Sequence, residues 1–116
     1  MSESLGKKQE RFSRAYWQLL GYAHSRGYGV RQGEGLRTKE QSEWYSQRGL
    51  GIVNSVHRLK LAHDIYLSVD GELLWDGFPY RDCGEFWCSL GDDHRWGGNM
   101  LRRDVYHFSF LHKGRY

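Results

Sequence analysis

The chain has 116 residues, long enough to bury a real core without obligatory disulfide staples, and its 27% charged and 39% hydrophobic residues are ordinary globular values. Seventeen Lys and Arg against 14 Asp and Glu give a charge of +3 and a pI near 9.0, which favours association with polyanions, and nucleic acid, anionic lipid and cell-wall polymers all qualify. The basic residues are scattered and no nucleic-acid motif accompanies them, so solubility and wall attraction account for them before nucleic acid does.

The aromatic share, 16% with 5 Trp and 8 Tyr, is high and spread over the whole length, so the rings are expected partly in the core and partly in a cleft. Two cysteines, Cys83 and Cys88, are too few for a small secreted disulfide scaffold. The segment Met-Ser-Glu-Ser-Leu-Gly-Lys-Lys lacks the apolar core of a signal peptide, and no stretch approaches a membrane span. A single domain over 1-116, made in the cytoplasm without a signal peptide, is the expectation.

From Ser4 to about Arg26, Phe12, Ala15, Tyr16, Leu19, Leu20 and Ala23 recur at three- and four-residue steps, predicting a helix with Ser4 as cap and Gly27 as stop. Tyr28 and Val30 can alternate on a short strand between Gly27 and Gly35. Thr38 followed by Gln41 is a capping-box pattern, so a second helix should run from Lys39 to about Gln47, ended by Gly49. Arg37 then falls at a loop edge from which its side chain can reach a cleft.

After a loop from Gly49 to Asn54, the apolar density of Leu59, Leu61, Ala62, Ile65, Tyr66, Leu67 and Val69 reads as a strand. Asp70-Gly71 signals a hairpin turn and Glu72-Leu-Leu-Trp the return strand. Phe86, Trp87 and Leu90 at helical spacing predict a helix between Tyr80 and Leu90, on which Cys83 and Cys88 read as buried free thiols. The paired glycines of R-W-G-G-N-M permit a close backbone approach. V-Y-H-F-S-F-L is the last strand, with Tyr106, Phe108 and Phe110 on one side and His107 on the other.

Chemistry concentrates in S-V-H-R-L-K-L-A-H-D, Ser55 to Asp64, and in D-V-Y-H-F, Asp104 to Phe108. His57, Asp64 and His107 could give one divalent metal two imidazoles and a carboxylate, leaving a fourth position for water, with Asp104 left over as proton carrier. Taken singly, His-x6-Asp and Asp-x-x-His are equally compatible with hydrogen-bonded surface pairs. His57 and Asp64 are seven apart, which puts them on opposite faces of a straight strand, so a bend near Lys60 is required.

The pattern S-x-H-x6-D followed by an acidic residue, two residues and H-F resembles the M15 zinc peptidases of bacterial cell walls. Ser55, His57, Asp64, Asp104, His107 and Phe108 meet it. K-K-Q-E-R-F, the segment from Gly33 to Gln41 and R-W-G-G from Arg95 extend the resemblance over nearly the full chain, closest to the compact branch of phage lysins with Asp as proton carrier. The resemblance implies an α+β fold of the DD-peptidase/Hedgehog-like zinc type, a small antiparallel sheet flanked by helices. It implies zinc on His57, Asp64 and His107, Asp104 as general base and acid, and Arg37 at the oxyanion. Ser55, Trp96 and Tyr106 become candidates for substrate contact, with core packing an equal alternative for the two aromatics. Two positions depart from the family pattern: Lys60 stands where many members have Gly, and His63 where an apolar residue is usual. His63 is read as a non-ligand, because a fourth protein ligand would close the site.

The implied activity is a peptidoglycan stem-peptide hydrolase, an L-alanyl-D-glutamate endopeptidase acting as a monomeric phage-type lysin on the wall after release, with no nucleic acid and no membrane insertion. D-Ala-D-Ala carboxypeptidases and dipeptidases use the same site, and cobalt or manganese could fill the same ligands. A zinc-stabilised wall-binding module without turnover is the competing class. Asp104 and Arg37 argue against it, since a structural site needs neither.

Overall fold

Helix α1 spans Leu5–Ser25 because Phe12, Ala15, Leu19 and Ala23 fall on one stripe and bury together. Ser4 Oγ accepts from the Lys7 amide, 3.2 Å, and Gly27 at φ 85° ends the helix where a side chain would be strained. The computed structural model describes residues 3-48 and 55-116. Gly49, named as a helix stop, and the loop to Asn54 lie outside the described residues. None of the described helices is long and apolar enough to cross a membrane.

Strand β1, Gly29–Gln32, follows α1, and α2 covers Lys39–Gln47. Both arms of the α2 capping box form: Thr38 Oγ1 accepts from the Gln41 amide at 3.1 Å, and Gln41 Oε1 accepts from the Thr38 amide at 2.9 Å. A 3-10 turn, Val56–Leu59, leads into β2, Ala62–Val69. Asp70 and Gly71, at φ 51° and 82°, make a tight turn with both central residues left-handed. The return strand β3 is only Glu72–Leu73, shorter than the expected Glu72 to Trp75.

Helix α3 runs Phe78–Ser89, two residues earlier than its apolar spacing suggests, because Pro79 fits the first turn where no amide partner is needed. His94–Trp96 then forms β4, in a stretch to which the sequence assigned no element, a second 3-10 turn covers Gly97–Asn99, and β5 is His107–Phe110. The fold is therefore α+β, an antiparallel sheet in the order β1-β2-β5-β4 with β3 added to β2, flanked by helices. The long β2 pairs with β1 along Ile65 to Ser68 and with β5 along Ala62 to Asp64.

The core joins the α1 stripe to Tyr80, Cys83 and Trp87 of α3 and to Ile65, Leu67, Phe108 and Phe110 of the sheet. Trp87 has no exposure, its ring meets Phe12 and Phe110 at 5.6 and 5.8 Å, and its Nε1–H is shared by the carbonyls of Arg95 and Ser109, each 3.1 Å away. Both faces of β5 are covered, so all four residues are buried, although the alternation puts His107 opposite Phe108. Asp82 ties the end of α1 to α3, accepting from Tyr22 Oη (2.5 Å), Tyr28 Oη (2.6 Å) and Arg26 Nε (2.8 Å). Burial raises the Asp82 pKa, but these three donors outweigh it and hold the carboxyl below its ordinary value. Cys83 and Cys88 are free thiols, Cys83 buried and pushed up to about 12 by that burial.

Candidate metal centre

His57 is carried by the 3-10 turn rather than by a strand. Ser55 Oγ caps the turn by accepting from the His57 amide at 3.2 Å, and Gln9 of α1 donates to the Leu59 carbonyl at 2.8 Å. Lys60 follows at φ 57°, ψ 36°, so the expected bend is present and a lysine makes it. A left-handed non-glycine residue costs about 1 kcal/mol. The seven-residue step between His57 and Asp64 thus spans a turn and a reversal, and the strand-face objection disappears.

Asp64 lies on β2 directly across from His107 on β5. His57 Nε2 is 3.5 Å and His107 Nδ1 3.4 Å from the same oxygen, Asp64 Oδ1, and one donor atom from each residue lies within 4.8 Å of the others. Ligand bonds of roughly 2.1 Å in a tetrahedron separate neighbouring ligand atoms by about 3.4 Å, so this spacing suits a small divalent metal. The remaining ring nitrogens are already used. His57 Nδ1–H donates to the Gly35 carbonyl at 2.8 Å, and His107 Nε2–H donates to the main-chain oxygen of Tyr116 at 3.0 Å. Those bonds fix both tautomers and aim the free lone pairs at the common point.

Asp64 Oδ1 is buried without a hydrogen-bond partner among the described residues, because both imidazole contacts are too long to be good hydrogen bonds. A buried carboxylate oxygen facing two lone pairs is unsatisfied by protein and satisfied by a cation, so the donor set fits zinc. Burial raises the Asp64 pKa, but with no metal bound a proton taken up by these imidazoles turns the facing lone pairs into charged N–H donors, which outweigh burial and hold the carboxyl down to about 2. His63, adjacent to Asp64, turns away, stacking on Tyr16 at 4.4 Å with Nδ1–H donating to the Asp64 carbonyl.

A cleft of about 760 Å³ opens onto this cluster, and Arg37, Asp104 and Tyr106 line it with the three ligands. Arg37 is largely buried and doubly engaged by Glu34 Oε1, its Nε at 2.6 Å and Nη2 in an ion pair, and its guanidinium lies 5.0 Å over the Tyr45 ring. Glu34 belongs to the Gly33 to Gln41 segment that carries part of the resemblance but was given no role there; its position three residues before Arg37 is the local signal for this contact. Its carboxylate also sits 3.9 Å from His57 Nδ1.

Asp104 is exposed at the mouth of the cleft, and its Oδ1 accepts from the Tyr106 amide at 3.2 Å. Its backbone is clamped: the amide donates to the Gly97 carbonyl at 3.0 Å, and its carbonyl accepts from the His107 amide at 3.3 Å. A Cβ on Gly97 would collide with the Asp104 carbonyl, so the close approach foreseen for the paired glycines is to the chain's own Asp104. Trp96 is buried between Gly84 and Gly98, donates from Nε1 to the Val105 carbonyl at 2.8 Å and is not among the cleft residues. Ser55 and Tyr106 do reach the cleft, and Tyr106 Oη donates to the carbonyl of Trp75, an exposed rim residue that sequence reasoning missed.

No family model matches the chain, and no curated protein matches its sequence. Solved structures share the fold, among them two peptidases. The L-Ala D-Glu endopeptidase ChiX of Serratia marcescens superposes with a TM-score of 0.68 at 21% identity, over 87% of this chain and 78% of that one. The vancomycin-resistance D,D-pentapeptidase VanY of a VanB-type cassette, a glutamate-to-alanine mutant in complex with Zn(II), gives 0.59 at 19% identity, over 88% and 71%. At these identities the likeness establishes the fold.

Proposed function

We propose that this chain is a zinc metallopeptidase of the M15 type that hydrolyses peptidoglycan stem peptides, as an L-alanyl-D-glutamate endopeptidase. The observation that carries the reading is the orphaned Asp64 Oδ1 facing His57 Nε2 and His107 Nδ1, with Arg37 and Asp104 on the same cleft. Two structures of this fold bear peptidoglycan-peptidase or Zn(II) names, which supports the reading.

His57, Asp64 and His107 would hold the ion, whose chemistry when bound is Lewis acidity, lowering the pKa of a coordinated water toward ~7. Asp104, at the cleft mouth, takes the proton from the attacking water and returns it to the leaving amine. Arg37, kept in one orientation by Glu34, donates to the scissile carbonyl oxygen as negative charge develops there. Tyr106 and Trp75 bound the cleft beside the peptide. In this reading residues 1-116 act as one peptidase domain and as a monomer. In this reading the protein is a phage-type lysin that acts on the bacterial wall.

The test is metal content and sacculus clearing by wild type beside Asp104→Ala, with muropeptide products identified by mass spectrometry. About one zinc, cleared walls and an inactive mutant that keeps its metal are expected. Loss of only terminal D-Ala would replace the endopeptidase assignment with a D,D-carboxypeptidase, the activity class nearer the second structure. Zinc without clearing would make the chain a wall-binding module.

A further inference from the structure

Three arginines line the cleft, Arg37, Arg102 and Arg103. Two are already neutralised. Arg37 is held by Glu34, and Arg103 makes a bidentate pair with Asp76, both N–O distances 2.9 Å. Arg102 is exposed and makes no ion pair or hydrogen bond among the described residues. It is thus a guanidinium facing the cleft with its fork unused.

Its location narrows what the fork would meet. Arg102 precedes Asp104 by two residues, so their Cα atoms are at most about 7 Å apart, the reach of one further residue of an extended peptide. A substrate whose scissile bond lies beside Asp104 therefore presents its next residue to Arg102. The cleft also offers the apolar surface of Trp75, Met100 and Val105. Planar bidentate donation selects a carboxylate over an amide or hydroxyl.

We infer that Arg102 is the specificity-determining residue of the cleft, a recognition site for a free carboxylate on the substrate residue adjoining the scissile bond. This rests on the peptidase reading and names its substrate class: stem peptides whose glutamyl residue keeps its α-carboxylate, in preference to those in which that group is amidated. Arg37 is already assigned to the scissile carbonyl, and Arg103 would have to give up its bidentate pair with Asp76.

The experiment compares kcat/KM on two synthetic peptides, L-alanyl-γ-D-glutamyl-L-lysine with the α-carboxylate free and the same peptide α-amidated. Zinc-loaded wild type, Arg102→Ala and Arg102→Glu are each assayed on both. Wild type is expected to favour the free acid about tenfold, the scale of one charge-assisted hydrogen bond. The ratio should fall to about one in Arg102→Ala and invert in Arg102→Glu, chiefly through KM. Because each variant is read as a ratio on one preparation, partial misfolding cancels. Equal hydrolysis of the two peptides by wild type, or an unchanged ratio in Arg102→Ala, overturns the role of Arg102 alone. Hydrolysis of neither peptide by wild type overturns the endopeptidase reading, and this inference with it.

Discussion

Asp64 and His107 are cross-strand partners, directly opposite on β2 and β5, with Asp64 Oδ1 and His107 Nδ1 3.4 Å apart. A side-chain period of two means that a one-residue slip would turn either of them to the other face of the sheet. The candidate metal centre is therefore a consequence of strand register, and His57 is added to it by a single turn closed at Lys60.

Metal removal should destabilise the protein. A ligand present at 1,000 times its Kd stabilises the native state by about 4 kcal/mol. Thermal melts with and without a chelator should differ by about 10–20 °C in wild type. Asp64→Asn and His107→Ala should abolish the difference, whereas Asp104→Ala should keep it.

The metal-free protein should show an acid-labile contribution from Asp64. Its carboxyl is held down to about 2 against an ordinary 3.8, so the stabilisation is present above 3.8 and lost as pH falls from there through about 2. That shift is worth about 2 kcal/mol for a group mostly out of water. Urea titrations in chelator between pH 5 and pH 2 should show wild type losing about that much more than Asp64→Asn; parallel losses in the two would refute it.

Turnover should depend on three side chains in distinguishable ways. Arg37→Ala should cost about a hundredfold or more in kcat, as removal of one oxyanion donor does. Asp104→Ala should cost about a hundredfold to ten-thousandfold with zinc content intact. Glu34→Gln leaves Arg37 in place but frees its orientation, so a smaller loss is expected, measured as kcat on defined muropeptides.

Lys60 should tolerate glycine and reject branching. Lys60→Gly relieves the left-handed strain but adds unfolded-state freedom, so stability should stay within about 1 kcal/mol of wild type. Lys60→Val should lose about 2 kcal/mol, because a β-branched residue is a severe outlier at φ 57°. Denaturant midpoints with unchanged slopes would check both.

Gly97→Ala should damage stability and activity together. The new methyl group meets the Asp104 carbonyl and also approaches the His107 Cβ, and neither has room to move without disturbing the β5 entry. A loss of about 2 kcal/mol is expected, accompanied by reduced turnover. Full activity in a stable Gly97→Ala protein would contradict this packing.

Elements whose cause is local were legible in the amino-acid order. The α1 stripe, the Thr38–Gln41 capping box and the Asp70-Gly71 turn are written within a few residues, and each appears where its pattern puts it. His57, Asp64, His107, Asp104 and Arg37 were also picked out, by residue types and resemblance, and all five meet at one cleft. Strand β4 was missed because three residues of mixed polarity carry no period, and pairing with β5 alone makes them a strand. Trp96 could equally have been cleft or core until Gly84 and Gly98 closed on its ring. The oxygens that orient the two histidines, from Gly35 and Tyr116, are main-chain atoms that every residue possesses, so no side-chain signature announces them. Composition and spacing determined which groups this chain can bring to a reaction. Strand register and one left-handed lysine decided that three of those groups point at a single place, because convergence is a property of distances that sequence separation does not encode.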